Sequence, residues 1–359
     1  MTRKFNFGAG PATMPDSVLE EVKQELLDWN GLGLSVMEIS HRSKEFIEIA
    51  KQAESDFRDL LDITDDYAVL FLHGGATLQN AMIPLNLSSE GATAGYVNSG
   101  YWAKRSIKEA QKYTKVYIAA TSEDKNFTYF PKQSTWSLKE NTAYVHITPN
   151  ETIGGLKFKD LEDSEVPIVA DYSSAILSEV IEVNKFSLIY GGAQKNIGPA
   201  GLGFAIIKKE ILRKAQSITP TMLNYSEMLE GESMYNTPPT FAWYVAGKIF
   251  KWLKSMGGVS EIEKLNNKKA KKLYSFIDQS DFYMNKINKE DRSIMNIPFQ
   301  LNIEDLNSKF LEESKDAGLL ALKGHRSVGG MRASIYNAMP VEGVNALISF
   351  METFEKERS

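Results

Sequence analysis

Short apolar runs alternate with amphipathic helical stretches through much of this 359-residue chain. The runs are typical of buried strands, and they lie at 68–72, 95–97, 116–119, 143–147, 166–171 and 202–207. Strands separated by helices pack into a mostly parallel sheet with helices on its faces. The pattern therefore predicts an α/β fold built on a doubly wound sheet.

The chain is expected to divide after a predicted helix over 241–256, because Gly257 and Gly258 end that helix. We expect a large domain over 16–256 and a smaller α+β domain over 257–359. The irregular N-terminal segment 1–15 is assigned to the smaller domain and not to the main sheet.

Three local patterns give testable structural predictions. Ser17 and Glu20 have the spacing of a capping box, which predicts a helix from there to Trp29. A second amphipathic helix is predicted to begin at about Ser43. The lysine run over 268–272 has no aromatic residues between its charges, so a solvated helix face is expected there.

One lysine, Lys195, lies where an apolar run that begins at Leu188 leads into glycine, alanine and proline. A regular helix cannot pass through these residues, so the chain must turn with Lys195 near a strand end. A P-loop needs its lysine after the glycines, whereas Lys195 precedes most of them. Gly198, Gly201 and Gly203 have the reverse of the Rossmann spacing, so neither phosphate-binding motif is present. A lysine fixed on such a turn can form a Schiff base with an aldehyde cofactor. An exposed lysine on a glycine-rich loop is the alternative.

A carboxylate, Asp171, ends the apolar run that begins at Val166, as expected for a buried parallel strand. Ligands of open α/β sheets bind at such strand ends. An anion there can keep a pyridinium nitrogen protonated, which lets a pyridoxal phosphate ring accept electrons from a substrate. Asp171 and Lys195 thus meet the two requirements of a pyridoxal phosphate site. A role as a helix cap or turn former is the alternative for Asp171.

Several longer motifs occur in order along nearly the whole chain. They are Phe5–Ala12, Pro149–Thr152, Gly191–Gly201, Asn236–Phe241 and Gly324–Ser334. In these motifs the chain resembles the phosphoserine aminotransferases, a family in class V of the fold-type I pyridoxal phosphate enzymes. The resemblance implies a large cofactor-binding domain with a mostly parallel mixed sheet flanked by helices, and a smaller α+β C-terminal domain. It also implies a homodimer whose subunits share their active sites.

The resemblance implies a role for each residue of the cofactor site. Lys195 would carry the Schiff base and act as the base at the substrate α-carbon, and Asp171 would pair with the ring nitrogen. Trp102 would stack on the ring, with an ordinary core tryptophan as the alternative. The other contacts would be phosphate donors at Ala76 and Thr77, a supporting amide at Gln194, Thr152 at the phenolic edge, and Asn236 and Thr237 from the second subunit.

The implied reaction is transamination between L-glutamate and 3-phosphooxypyruvate, which gives O-phospho-L-serine and 2-oxoglutarate. A second role, on the phosphohydroxythreonine precursor of pyridoxal phosphate, is also implied. Arginine suits both substrates because its planar fork can bind a carboxylate or a phosphate bidentately. Arg332 would hold the α-carboxylate, and Ala9 would contact the substrate through its backbone. The distal group would meet His41, Arg42, His325 and Arg326.

Other interpretations of the site stay open. Thr77 stands where some family members carry an arginine, so one charge-assisted phosphate bond is missing. His41 as a satisfied loop histidine and Arg326 as a rim charge are alternatives. Another class V aminotransferase, of the alanine–glyoxylate type, is the competing function, and the cations around Arg42 and Arg326 disfavour its small neutral substrate. A non-catalytic cofactor carrier would not need both Lys195 and Asp171.

Composition narrows the partners and the compartment. The chain has 41 lysine and arginine residues against 46 aspartate and glutamate residues, so its formal charge is −5 and no attraction to nucleic acid is expected. It contains no cysteine, which excludes a disulfide framework and thiolate chemistry. Four histidines lack metal-ligand spacing, so no metal site is expected, and His73 and His146 are expected to be structural. Without an apolar leader or a membrane-length apolar segment, a cytoplasmic protein is expected.

Overall fold

The computed structural model describes residues 3–89, 91–212 and 215–358, so Met1, Thr2 and Ser359 of the predicted domains lie outside the described residues. The strands are β1 Phe5–Asn6, β2 Tyr67–His73, β3 Thr93–Asn98, β4 Lys115–Thr121, β5 Thr142–Ile147, β6 Asn150–Glu151, β7 Leu156–Lys157, β8 Ile168–Asp171, β9 Leu188–Gly192, β10 Leu202–Lys208, β11 Tyr283–Met284, β12 Asn296–Leu301, β13 Leu319–Leu320 and β14 Met331–Ser334. The α-helices are α1 Asp16–Glu25, α2 Lys44–Leu61, α3 Gly75–Leu87, α4 Tyr101–Ala110, α5 Tyr225–Glu230, α6 Thr240–Ser255, α7 Gly258–Gln279, α8 Asn307–Asp316 and α9 Val341–Lys356.

A seven-stranded sheet carries the predicted site, in the order β2-β10-β9-β8-β5-β3-β4. The pairs from β9 to β4 are parallel, whereas β10 runs antiparallel to both of its neighbours. Strands β8 and β9 are buried along their whole length, as expected for strands that are covered on both faces. The α/β class with a mostly parallel mixed sheet is therefore confirmed.

Apolar layers cover both faces of this sheet, because successive residues of a strand point to opposite sides. On one face, Phe57 of α2 stacks on Phe250 of α6 at 4.9 Å, and Phe71 of β2 lies 4.8 Å from Trp243 of α6, measured between ring centroids. On the other face, Met82 of α3 packs in a cluster with alternate residues of β2. These layers hold the strand ends in fixed positions beneath the pocket described below.

A second sheet, β11-β12-β14, is antiparallel and packs with α7, α8 and α9 around its own apolar cluster. β1 pairs in parallel with β13, and Phe7 is buried in the same cluster. The N-terminal segment thus lies against the smaller sheet and, as predicted, outside the main one.

The start of α1 differs from the prediction. The helix begins at Asp16, after Pro15, and no side chain caps it, so the capping box predicted at Ser17 is wrong. Ser17 falls inside the first turn, one residue beyond the true start, where its hydroxyl is not at the N-cap position. A capping box does form at Ser35 and Glu38, ahead of a short 3-10 turn.

The end of α1 also differs, whereas α2 starts where it was predicted. α1 stops at Glu25 and does not continue to Trp29. The side chain of Leu27 is 84 % exposed, so a longer helix would bury no further apolar face there. Ser43 caps α2 by accepting a 3.4 Å hydrogen bond from the backbone N–H of Phe46.

The prediction of a solvated lysine face on α7 is wrong for Lys269, which is fully buried. Its amine donates to the backbone carbonyls of Ile335 at 3.1 Å, Tyr336 at 2.8 Å and Met339 at 3.0 Å. Burial lowers the pKa of Lys269 to about 7. The helical period explains the error, because position 269 shares the core face with Leu273, four residues later.

Candidate active site

A pocket of about 390 Å³ lies at the carboxyl edge of the seven-stranded sheet. Loops that follow β2, β3, β5, β8 and β9 line it, and such strand ends are where α/β sheets bind ligands. The predicted residues that line it are Ala76, Thr77, Trp102, Thr152, Asp171, Gln194 and Lys195. Most of the predicted cofactor residues therefore face one space.

A larger cavity, of about 620 Å³, lies between the start of α4 and the smaller sheet. It is lined by Gly100 and Tyr101 on one side and by Pro298, Phe299 and Val328 on the other. Neither Lys195 nor Asp171 lines it. Because the reactive groups face the smaller pocket, the chemistry belongs there.

Lys195 lies three residues beyond the end of β9 and is half-buried. Its Nζ donates a 2.6 Å hydrogen bond to Thr152 Oγ1 and lies 5.7 Å from the ring centroid of Trp102. Burial lowers the pKa of Lys195 to about 8, Asp171 acts in the opposite direction, and the charge of Arg332 adds to the lowering. About a tenth of the amine is thus in its nucleophilic, neutral form at pH 7, far more than for an ordinary lysine.

Asp171 is the last residue of β8 and pairs in register with Tyr190 of β9. Its Oδ1 accepts hydrogen bonds from Ser173, from the backbone N–H at 2.9 Å and from the hydroxyl at 2.5 Å. Its Oδ2 makes no hydrogen bond to the described residues. Burial raises the pKa of Asp171, whereas the hydrogen bonds from Ser173 and the charge of Lys195 lower it. One carboxylate oxygen is anchored and the other is available to a ligand.

The N-terminus of α3 forms another wall of the pocket. Gly74 and Gly75 turn the chain into the helix with φ of +80° and +58°, in the left-handed region that glycine tolerates. No side chain caps this helix, so the backbone N–H groups of its first turn, around Ala76 and Thr77, are free for an anion. A Cβ on Gly203 would lie 3.2 Å from the Cα of Gly75, so a glycine in β10 lets the strand approach this turn.

Trp102 stands in the first turn of α4, and its indole Nε1 is buried without a hydrogen-bond partner among the described residues. The backbone N–H groups of Trp102 and Ala103 donate to the carboxylate of Glu151, a residue that the sequence analysis did not assign to the site. Burial raises the pKa of Glu151 to about 7, opposed chiefly by these two hydrogen bonds. Local residue spacing could not identify Glu151 as a site residue, because its hydrogen-bond partners lie almost fifty residues away in sequence.

A buried polar network behind the pocket was also not predicted. Asn80 of α3 lines the pocket, and its Oδ1 accepts a 3.0 Å hydrogen bond from Tyr190 Oη. Tyr190 Oη therefore accepts from His146 Nε2 at 2.8 Å, which fixes the proton of the neutral imidazole on Nε2. Burial lowers the pKa of His146 to about 3, so the ring stays uncharged. Asn80 lies four residues after Ala76, on the same face of α3, and that spacing could have identified it.

The predicted carboxylate ligand, Arg332, lies on β14 at the edge of the pocket. Its Nη1 is 3.5 Å from the backbone oxygen of Thr152, and its Nε is buried without a partner in the described part of the chain. Burial, followed by the charges of Arg332 and Arg326, lowers the pKa of His325, so its imidazole is uncharged near neutral pH and the two arginines form the cationic group beside it. The backbone oxygen of Ala9 accepts a 3.0 Å hydrogen bond from Tyr336 Oη.

None of the predicted substrate-binding residues, and neither Asn236 nor Thr237, is among the described residues that line this pocket. His41 and Arg42 precede α2, where Arg42 is exposed and His41 Nε2 is buried without a described partner. Burial, with a smaller effect of Arg42, lowers the pKa of His41. Asn236 is exposed and its Oδ1 lies 3.1 Å from His73 Nε2, and Thr237 is also exposed.

The described residues contain neither a metal-binding cluster nor a helix that could span a membrane. No group of three or more histidine, aspartate or glutamate side chains in them could hold a metal ion. None of their helices is both long enough and apolar enough to cross a membrane.

Comparison with known proteins agrees with this geometry. The chain matches the family model described as aminotransferase class V over residues 4–347. A protein of Hahella chejuensis named phosphoserine aminotransferase is 54% identical over 353 residues, which cover 98% of each chain. The solved phosphoserine aminotransferase of Bacillus circulans subsp. alkalophilus superposes with a TM-score of 0.98 at 43% identity and 99% coverage of each chain. The pyridoxal phosphate-bound phosphoserine aminotransferase of Trichomonas vaginalis superposes with a TM-score of 0.93 at 38% identity, covering 98% of this chain and 100% of that one. The chain belongs to the class V aminotransferases.

Proposed function

We propose that this protein is a phosphoserine aminotransferase, which transfers an amino group between L-glutamate and 3-phosphooxypyruvate and forms O-phospho-L-serine and 2-oxoglutarate. The observation that carries the proposal is that Lys195 and Asp171, from neighbouring strand ends, line one pocket. The relatives reported above, at 38–54% identity over nearly the whole chain, bear this name. The alternative, an alanine–glyoxylate type of class V enzyme, is therefore not favoured.

The residues of the pocket fit pyridoxal phosphate. Three groups that line the pocket match its parts: the uncapped first turn of α3 for the phosphate, Asp171 Oδ2 for the ring nitrogen and Lys195 Nζ for the aldehyde. The first two make no hydrogen bond to other described side chains, and Lys195 Nζ bonds only to Thr152 among the described residues. Trp102 would stack on the ring, Thr152 would lie at the phenolic edge, and Gln194 would support the phosphate. When bound, pyridoxal phosphate supplies an aldehyde that accepts an amino group and a ring that withdraws electrons from the substrate α-carbon.

Lys195 is proposed as the group that moves a proton at the substrate α-carbon. A pKa near 8 suits this work, because a general base is most effective when its pKa is close to the operating pH. The hydroxyl of Thr152, 2.6 Å from Nζ, fixes the direction of the amine. Asp171 would hold a proton on the ring nitrogen, which its charge stabilises.

Arg332 is proposed to bind the substrate α-carboxylate. Its buried Nε has no partner among the described residues, and an unpaired guanidinium donor beside Thr152 is suited to a bidentate contact with a carboxylate. Arg326, which forms the cationic group with Arg332, and the neighbouring uncharged His325 would receive the distal phosphate or γ-carboxylate. Because Thr77 offers no positive charge, this group would carry more of the phosphate recognition.

We further propose a homodimer in which each subunit completes the site of the other. His41, Arg42, Asn236 and Thr237 would enter the pocket of the partner, which agrees with their positions outside their own pocket. Large apolar side chains near them are exposed, and exposed apolar surface of this kind marks protein contacts. They include Leu34 at 47 %, Met37 at 54 % and Tyr235 at 48 % exposure, each within a few residues of His41 or Asn236 in sequence.

Three smaller proposals complete the account. The division into domains at 16–256 and 257–359, with 1–15 joined to the latter, is supported by the pairing of β1 with β13. A cytoplasmic location follows from the substrates, because multiply charged molecules do not cross a bilayer unaided. A second role on the phosphohydroxythreonine precursor of pyridoxal phosphate would use the same cationic group.

The choice of amino donor tests the proposed function. We expect kcat/KM with O-phospho-L-serine to exceed that with L-alanine by about a hundredfold or more, because alanine offers no second anion to the cationic group. The comparison uses the purified holoenzyme with 2-oxoglutarate as acceptor for phosphoserine and glyoxylate for alanine. Equal efficiency, or a preference for alanine, would overturn the assignment.

A further inference from the structure

Glu151 is a buried carboxylate beside the pocket to which the proposed reaction gives no role. Its side chain is fully buried, and it belongs to β6, immediately before Thr152. It uses both of its oxygens: Oε2 accepts from the backbone N–H of Trp102 at 3.1 Å, and Oε1 accepts from that of Ala103 at 2.9 Å. A buried carboxylate held only by backbone donors is expensive, and so its position calls for a specific reason.

The two N–H groups that donate to Glu151 lie in the first turn of α4, where the side chain of the N-cap residue normally accepts such hydrogen bonds. Trp102 and Ala103 are the second and third residues of α4, and their N–H groups have no partner within the helix. The N-cap residue is Gly100, which has no side chain to accept from them. Glu151 therefore caps α4 from a distant part of the chain, and its charge is also favourable at the positive end of the helix.

The glycine at position 100 makes room for this contact. A Cβ built on Gly100 would lie 2.7 Å from Cδ of Glu151 and 3.0 Å from Oε1, closer than real Cβ atoms approach. Any other residue at position 100 would push the carboxylate away from the helix terminus. Gly100 and Glu151 thus form one arrangement, although they lie 51 positions apart in sequence.

The arrangement places Trp102 relative to Lys195. Trp102 extends from the turn that Glu151 holds, and its ring centroid lies 5.7 Å from Lys195 Nζ. Thr152, next to Glu151, accepts the hydrogen bond from that same Nζ. Two consecutive residues therefore fix the tryptophan on one side of the site and the lysine on the other.

We propose that Glu151 is a positioning residue, which sets the pose of Trp102 against Lys195 by capping α4 and so shapes the site for the cofactor ring. This inference rests on the proposed function for the identity of the ring, whereas its structural part concerns Trp102 alone. Asn150, the other residue of β6, bonds to Asn296 at 2.9 Å and to Ser174 at 2.7 Å, which holds the strand itself in place.

The test uses Glu151→Gln, which removes the charge and turns an N–H toward one of the two backbone donors. A matched control is Asp56→Asn, which removes a buried carboxylate from α2, where it pairs with Lys254 at 2.7 Å. The first readout is the fluorescence of Trp102 in the cofactor-free protein, taken as the difference between each protein and its Trp102→Phe counterpart. The second is the dissociation constant of pyridoxal phosphate, followed by the visible circular dichroism of the bound cofactor.

We expect Glu151→Gln to change the Trp102 signal and to raise the dissociation constant about tenfold or more, whereas Asp56→Asn changes neither. In a double-mutant cycle, Glu151→Gln should cost little further affinity once Trp102 is alanine, because its effect passes through a ring that alanine lacks. A general loss of stability would instead add equally in both backgrounds. If Glu151→Gln does not fold, Gly100→Ala should give the same pattern by displacing the carboxylate.

Two results would overturn the inference: an unchanged Trp102 signal in the folded variants, or full additivity of the two substitutions in the cycle. Neither readout uses an amino-group substrate. A protein that binds the cofactor but prefers alanine would contradict the proposed function and leave this inference standing.

Discussion

Lys195 Nζ and Thr152 Oγ1 lie 2.6 Å apart, although they follow strands of two different sheets. Thr152 follows β6, and Lys195 follows β9. The hydrogen bond gives a fixed direction to an amine whose pKa burial lowers to about 8. The proposed covalent attachment of an aldehyde requires a lysine amine that has a fixed orientation and is partly neutral.

The pKa of Lys195 predicts how the cofactor-free protein takes up pyridoxal phosphate. The neutral amine is the nucleophile, so its fraction, and with it the loading rate, should rise about tenfold between pH 7 and pH 9 and then level off. An ordinary lysine amine would give a rise of about a hundredfold with no plateau in this range. Stopped-flow absorbance of the forming holoenzyme measures the rate, with Nα-acetyl-lysine as the reference amine. A hundredfold rise of the loading rate without a plateau would show that the pKa of the Lys195 amine is not lowered.

Asp171→Asn should lower kcat about a hundredfold, because the amide cannot hold a positive charge on the ring nitrogen. The matched variant Ser173→Ala keeps the carboxylate and removes the 2.5 Å hydrogen bond to it, so a smaller loss, about tenfold, is expected. Steady-state rates with glutamate and 3-phosphooxypyruvate measure both. A wild-type kcat for the Asp171→Asn enzyme would contradict the proposed role of Asp171.

Lys269→Met should destabilise the fold by about 3 kcal/mol, because it leaves three buried carbonyls without their donor. Lys268→Met, on the exposed side of the same helix, serves as the control and should change the free energy of unfolding by less than about 0.5 kcal/mol. Urea unfolding monitored by circular dichroism compares the two. Equal stability of the two variants would mean that the three hydrogen bonds contribute nothing net.

The proposed sharing of sites between subunits predicts complementation. Lys195→Ala and Arg42→Ala are each expected to be inactive as homodimers. After mixed refolding, half of the dimers are mixed, and each of these holds one site with an intact Lys195 and an intact Arg42 from different chains. Roughly a quarter of the wild-type activity should return. If no activity returns although mixed dimers are detected by mass, Arg42 serves the pocket of its own chain.

Much of this site follows from simple patterns in the sequence. Lys195 and Asp171 end apolar runs, and the rule that parallel strands end at one edge was enough to bring them together. Trp102 and Arg332 came from the family resemblance and not from spacing. The positions of Lys195 and Asp171 depend only on local sequence and sheet topology, and for this reason they could be predicted.

The features that were missed depend on distant contacts. Glu151 caps a helix that begins almost fifty residues earlier, and Lys269 finds three carbonyls on a segment more than sixty residues later. Charge patterns along one helix cannot reveal such partners. The capping box predicted at Ser17 failed for a local reason, because the N-cap of α1 is Pro15, two residues before the predicted position.

The central claim is that Lys195 holds pyridoxal phosphate and uses it to pass an amino group from glutamate to a phosphorylated keto acid. The most direct measurement is the visible absorbance of the purified holoenzyme during single half-reactions. L-glutamate alone should abolish the band of the bound cofactor, 3-phosphooxypyruvate should restore it, and Lys195→Ala should show neither change. A wild-type protein that binds pyridoxal phosphate and keeps its absorbance unchanged after addition of glutamate would contradict the claim.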